Sequence, residues 1–230
     1  DMVTPSPYFQ TSESGLPVKL WRQLLPDGVA LLPCLEQHVG SSLPVRMKST
    51  PEIDTGFASS YYQQGADGIY LFNHLYRDSI NDWESQRKLY TFLGSAGALS
   101  RKSRRHVATY HECMVEGISG RAAFDDNIPA NGSVSVRLNG GSIPAGSESR
   151  VLLGTAVPLP TSAEIRLNTV VCMPAPPPAP LPLPEVPLEL NAFSVPAGTL
   201  HDGENLIEII NRSDAEIRLR WAEIHIRVGE

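Results

Sequence analysis

Few residues in this chain of 230 combine a reactive side chain with a defined place in a pattern. Glu36 closes the apolar run Gly28-Val29-Ala30-Leu31-Leu32-Pro33-Cys34-Leu35, so a carboxylate stands at the end of a strand-like segment. Asn73 and His74 follow Gly68-Ile69-Tyr70-Leu71-Phe72 in the same way, and Asp1 leads into Met2-Val3. A carboxylate can serve as acid, base or nucleophile; a side-chain amide both donates and accepts hydrogen bonds. His106, His111, Glu112 and Cys113 lie close together, but alternation along a strand puts Glu112 on the face opposite His111 and Cys113. No second half of a ligand set follows, so no metal site is expected. No GxSxG elbow supports Ser-His-Asp catalysis, and no GxGxxG or phosphate loop supports a nucleotide. No cofactor is therefore expected. Cys34, Cys113 and Cys172 form no CxxC, which argues against a zinc site or disulfide scaffold. Tyr61, Tyr62, Tyr70 and Trp221 could stack on sugars, yet their helical or strand settings favour core packing. Asn131-Gly132-Ser133 and Asn211-Arg212-Ser213 match the glycosylation pattern but read as ordinary turns.

The segments around these residues fall into two patterns. In the first hundred, an uninterrupted apolar run such as Val29 to Leu35 fits a strand covered on both faces, as does Ile69 to Phe72. Between them, Ser49-Thr50-Pro51-Glu52 is a helix start, with a hydroxyl cap, Pro in the first turn and an acid near the positive end. Ile53, Phe57, Ser60 and Tyr61 share one face, and Gly65 is the stop. The result is a right-handed βαβ unit. Further helices are predicted over Lys19 to Leu25 and Trp83 to Leu93, the second ended by Gly94. Met2-Val3 reads as the tail of another strand. Asp67 precedes the second strand and fixes a turn with Gly65 and Gly68.

From about Ser103 apolar and polar residues alternate over Val107 to Val115, Ser133 to Leu138, Ala163 to Leu167, Leu206 to Ile210, Ile217 to Trp221 and Ile224 to Val228. Turns such as Asn131-Gly132 and Asp202-Gly203 separate them, which predicts an antiparallel β-sandwich. Pro174 to Pro187 reads as a long, extended surface loop inside it. The chain divides near residue 102, into 1–102 and 103–230. Arg101-Lys102-Ser103-Arg104-Arg105 at that seam reads as a solvated connector.

The length suits one large domain or two small ones. A net charge of −6, from 25 acidic and 19 basic side chains, argues against nucleic acid or an anionic membrane as main partner. No apolar run approaches the roughly 20 residues of a membrane span. The first residue is Asp1, not Met, and no basic start with the apolar core of a signal peptide follows it, so the chain is expected to start downstream of a processing site or a gene-fragment edge. Two or three parallel strands do not make a finished domain. Half a dozen wet apolar side chains, at about 1.5–3 kcal/mol each, would forgo about 10 kcal/mol, as much as the net stability of a domain. The missing neighbours are expected in an upstream part of the chain or in a partner.

Gly65-Ala66-Asp67-Gly68-Ile69-Tyr70-Leu71-Phe72-Asn73, preceded by a tyrosine-rich helix, resembles the last barrel strand of bacterial family-10-type glycoside hydrolase-like proteins. Leu32-Pro33-Cys34-Leu35-Glu36 looks like their preceding strand, and Asp1-Met2-Val3-Thr4-Pro5 like the end of the one before. Leu200-His201-Asp202-Gly203-Glu204-Asn205-Leu206 resembles the closing turn of galactose-binding-like β-sandwiches. The resemblance implies an α/β plus all-β chain: the last two to three β/α units of an incomplete (β/α)8 barrel, followed by an appended β-sandwich. It implies a site at the C-terminal strand ends, faced by Glu36, Asn73, His74 and Asp1. Glycoside hydrolysis draws on two carboxylates. Glu36 would be the nucleophile or another charged sugar contact, and the acid would lie in the absent part. This chain alone is then expected to be inactive. The plainer alternatives are that Glu36 only pairs with a cation, Asn73 is a turn residue, and His74 is structural. The implied partners are a carbohydrate and the missing N-terminal part of the barrel, and the implied location is extracellular or periplasmic. A non-catalytic carbohydrate-binding or cell-surface module, or a sandwich that only steadies the barrel, are the rival readings.

Overall fold

The computed structural model describes residues 1–7, 11–42, 45–74, 83–109, 127–178 and 181–229. Strand β1 (Met2–Val3), helix α1 (Val18–Leu24) and strands β2 (Ala30–Leu31) and β3 (Cys34–Leu35) open the chain. A hairpin follows, β4 (His38–Ser42) and β5 (Val45–Lys48), then helix α2 (Pro51–Gln63), strand β6 (Tyr70–Leu71), and helices α3 (Trp83–Leu93) and α4 (Ala96–Leu99). β1 runs parallel to β2, and β3 parallel to β6. Further bonds from Leu32 N to Val3 O, Cys34 N to Pro5 O and Tyr70 N to Pro33 O join residues 30–35 to a neighbour on each side. The expected strand is therefore present but labelled in two pieces, because Pro33 has no N–H to extend the ladder. No barrel is closed by the described residues.

α2 forms where its start signals stand. Thr50 Oγ1 accepts from Ile53 N at 3.4 Å, Pro51 fills the first turn, and Gly65 follows at φ 100°. Its burial goes beyond one face: every residue from Ile53 to Tyr61 is buried. The parallel strands cover one side, and Arg104–Val107, the first strand of the second half, covers the other. Trp83, expected among the apolar positions of α3, is 65% exposed, while Leu89 and Leu93 carry its packing. The β4–β5 hairpin had no signature in the sequence.

The second half contributes β7 (Arg104–Val107), β8 (Asn127–Ile128), β9 (Ser133–Asn139), β10 (Glu148–Thr155), β11 (Glu164–Leu167), β12 (Val170–Val171), β13 (Met173–Ala175), β14 (Glu189–Ser194), β15 (Glu204–Ile210) and β16 (Ile217–Arg227). One antiparallel sheet has the order β13-β14-β10-β16-β7, with β8 on β16; a second has the order β12-β11-β15-β9. Val151, Leu153, Phe193 and Ile224 from the first meet Val136, Leu138, Ile165 and Ile207 from the second in a shared apolar core. A second core lies under the parallel strands and includes Leu31, Leu35, Ile53, Phe57 and Tyr61, joined by Val107 and Trp221 from the large sheet.

Two expected strands, Ile217 to Trp221 and Ile224 to Val228, are one. The register against β10 slips at Gly154/Thr155, so that Arg220 is skipped. Leu219 faces one core, and Trp221, two residues on, faces the other. The bulge changes the phase of alternation, and Ser41 Oγ donates to the Arg220 carbonyl there. The basic run at the seam also differs from expectation. Arg101 and Lys102 are exposed, but Arg104 and Arg105 are 0% exposed within β7. Pro174 to Pro187 is not simply a surface loop: its start forms β13, and Val186 packs against the second core. The expected strand Val107 to Val115 lies mostly outside the described residues, as do His111, Glu112 and Cys113.

Candidate functional site

β3 and β6 pair Cys34 with Tyr70 and Leu35 with Leu71. Partners in a ladder project from the same face, and faces alternate. Leu35 and Leu71 therefore turn into the helix-covered core, and Cys34, Glu36, Tyr70 and Phe72 share the helix-free face. Tyr70 and Phe72 remain 43% and 44% exposed, their rings stacked with centroids 6.4 Å apart. The expectation that Tyr70 is core does not hold, since β6 has no described neighbour beyond it. Tyr61 and Tyr62 are spent on packing, their hydroxyls donating to Glu13 O at 2.9 Å and Leu93 O at 3.2 Å.

Glu36 stands immediately after β3 and is 2% exposed. Ser12 fixes its backbone from the side: Ser12 Oγ accepts from Glu36 N at 3.0 Å, and Ser12 N donates to His38 O at 2.8 Å. The Cys34 thiol lies 4.0 Å from Glu36 Oε1. Burial, with a lesser push from Glu36, raises that thiol to about 11, so it stays protonated and unreactive at neutral pH. At 2% exposure the Glu36 side chain is closed off from solvent.

Of the other expected site residues, Asn73 and His74 follow β6 at the same end of the strands as Glu36, and Asp1 lies at the opposite end. Asp1 pairs at the far end: Ala30 N donates to the Asp1 carbonyl at 3.1 Å, at the beginning of the strand whose end carries Glu36. The parallel register forces this, because Met2 aligns with Ala30. Asn73 adopts φ 57° and turns the chain out of β6, a left-handed conformation that Asn tolerates better than most residues. His74 then turns toward α2, where its Nδ1 lies 3.8 Å from Asp54 Oδ2 and the side chain is almost fully buried. Ser49 Oγ donates to Asp54 Oδ1 at 2.5 Å. Burial raises the Asp54 carboxyl above its ordinary range, opposed by His74 and Ser49. Asp67, expected to fix a turn with Gly65 and Gly68, instead ties its segment to β2 and α1, accepting from Leu31 N at 2.8 Å and from Arg22 at 2.7 Å.

A buried charged network sits where the two cores meet, and composition gave no sign of it. Arg105 donates to both oxygens of Glu223, Nε at 3.0 and 3.2 Å and Nη2 at 2.7 Å, with both side chains 0% exposed. Trp221 Nε1 donates to Glu223 Oε2 at 2.9 Å, and Arg105 Nη1 to Pro182 O at 2.9 Å. Beside them Arg104 Nε donates to His106 Nε2 at 3.1 Å. The other ring nitrogen then carries the proton and meets Ser60 Oγ at 3.1 Å, which donates to Asn139 O at 2.7 Å. Burial, helped by Arg104, holds His106 well below its usual value and therefore neutral. Among the described residues no cluster of three His, Cys, Asp or Glu side chains could hold a metal ion, and no helix is long and apolar enough to cross a membrane.

No protein-family model and no curated protein matches the chain. Similar solved structures include a wild-type glycoside hydrolase family 86 enzyme in complex with neoagarooctaose, at 13% identity and TM-score 0.37, covering 54% of this chain and 18% of that one. They also include a beta-porphyranase of the same family from the human gut bacterium Bacteroides plebeius, at 12% identity and TM-score 0.36, covering 55% of this chain and 21% of that one. The chain thus spans about a fifth of their length. At these values the likeness assigns neither fold nor activity.

Proposed function

We propose that the chain is the C-terminal part of a glycoside hydrolase-like protein, with residues 1–102 as the closing β/α units of a barrel and 103–230 as an appended β-sandwich. Its saccharide site lies at the Glu36 end of the parallel strands, and Glu36 acts as nucleophile or as a charged contact to the sugar. The observation that carries this reading is the placement of Glu36. It is a carboxylate at the C-terminal end of the central strand, on the face away from the helices, where such barrels work. The exposed Tyr70 and Phe72 on that face fit a surface completed by further strands of the same protein. Asn73 and His74 serve the turn and the α2 contact rather than the sugar. An extracellular or periplasmic location goes with a polysaccharide substrate. Crystals of the protein with its upstream sequence, soaked in oligosaccharide, test the reading: sugar within hydrogen-bond reach of Glu36 supports it, and sugar bound only on residues 103–230 refutes it.

A second reading, that the sheets steady the α/β segment, has its own observation. A Cβ on Gly56 of α2 would stand 2.1 Å from the Arg105 carbonyl. Helix and sheet are in backbone contact there, as a fixed support requires.

A further inference from the structure

We infer that the cleft between the β4–β5 hairpin and the proline-rich segment takes an anionic substituent of a saccharide, a sulfate or carboxylate group, held by Arg46 and Lys48 beside His38. That the rest of the ligand is a saccharide rests on the proposed function; the charge of the subsite does not. The cleft has a volume of about 520 Å³, lined by His38, Arg46, Met47 and Lys48 on one side and Pro182, Leu183 and Glu185 on the other. It is of the size that small-ligand sites have.

The hairpin register gathers the positive groups. His38 pairs with Lys48 and Gly40 with Arg46, so His38, Arg46 and Lys48 project from one face while Val45 and Met47 turn inward. Gly40 opposite Arg46 leaves that side open, since a Cβ there would lie 2.9 Å from Arg46 Cβ. Among the described residues neither Arg46 nor Lys48 has an ion-pair partner, and the buried His38 Nδ1 has no hydrogen-bond partner. Burial first, then the charges of Arg46 and Lys48, lowers the His38 value and keeps the ring neutral at pH 7. Glu185 is the one acid among the described residues that line the cleft, which leaves that lining net positive in a chain of charge −6. Two cations with no carboxylate between them are the arrangement an oxyanion completes.

The opposite wall is built to stay in place. Pro182 is tied through its carbonyl to buried Arg105 at 2.9 Å, and a proline-rich backbone has little freedom to lose.

Glucose 6-sulfate, glucuronate, glucose and inorganic sulfate, each titrated into the full chain with His38 followed by NMR, test this. At least one charged sugar is expected to bind about tenfold tighter than glucose and to raise the pH at which His38 titrates; the tighter of the two names the substituent. Arg46→Gln with Lys48→Gln is expected to abolish that preference while circular dichroism stays unchanged, both side chains lying on the outer face of the hairpin. Equal binding of glucose and both charged sugars, or a double variant that keeps the preference, overturns the subsite and leaves the carbohydrate reading standing. Inorganic sulfate binding as tightly as the charged sugars, and lost in the double variant, keeps the anion site and removes the saccharide.

Discussion

Glu223→Ala strips a buried guanidinium of its counter-charge. Arg105 and Glu223 are both 0% exposed and joined by three N–H···O contacts between 2.7 and 3.2 Å. Removing one member of such a pair costs about 3–5 kcal/mol, because the surviving charge stays out of water. Trp221 Nε1 loses its acceptor as well, and a stranded buried N–H adds about 1–3 kcal/mol. The two overlap at one oxygen, so the expected loss is about 4–6 kcal/mol, a large part of a domain's stability. Urea denaturation followed by tryptophan fluorescence reads it as a lower midpoint at similar slope. Arg105→Met combined with Glu223→Leu removes both charges and is expected to recover most of the loss, leaving the Pro182 carbonyl and the Trp221 N–H unmet. A loss below about 1 kcal/mol in Glu223→Ala, or a double variant as unstable as the single one, would refute the assignment of this pair as the fastening between the two cores.

Gly56→Ala places a methyl 2.1 Å from the Arg105 carbonyl and should cost about 1–3 kcal/mol in the same denaturation assay by forcing α2 off β7, against the gain in helix propensity seen elsewhere. Asn73→Gly should leave stability near wild type because φ 57° suits glycine, whereas Asn73→Val should lose about 1–2 kcal/mol; equal effects would contradict the turn role. His106 is neutral when folded, so the unfolded chain takes up the proton first. Its contribution to stability is complete above the ordinary histidine value and falls as pH drops below it, by up to about 1.4 kcal/mol per pH unit. His225 and His38 shift the same way. Replacing His106 by Gln should flatten the thermal-stability profile between pH 7 and 5, and an unchanged slope would count against its burial as a neutral ring.

The sequence carried the pieces whose physics is local. The cap at Thr50 and Pro51, the stop at Gly65 and the apolar run ahead of Glu36 each set a backbone conformation within a few residues, and α2 and the strands appear there. β9, β11 and β15 followed from alternation because one face of each meets solvent. β10 was missed for the opposite reason: from Val151 to Thr155 it is buried without a break, so there is no period to read. Asp1 was misplaced as a site residue because strand register depends on partners far away in sequence. Arg104 and Arg105 were read as solvated because a cation's burial is decided by its acceptors, and those lie at Ser142, Pro182 and Glu223.

The most direct measurement of the account's central claim is saccharide hydrolysis by the protein together with its upstream sequence, wild type against Glu36→Gln. A nucleophile at Glu36 predicts a fall in kcat of about a thousandfold, near 4 kcal/mol of barrier, with the fold intact. Unchanged turnover in Glu36→Gln would contradict it and leave the carboxylate as a buried wall of the strand ends.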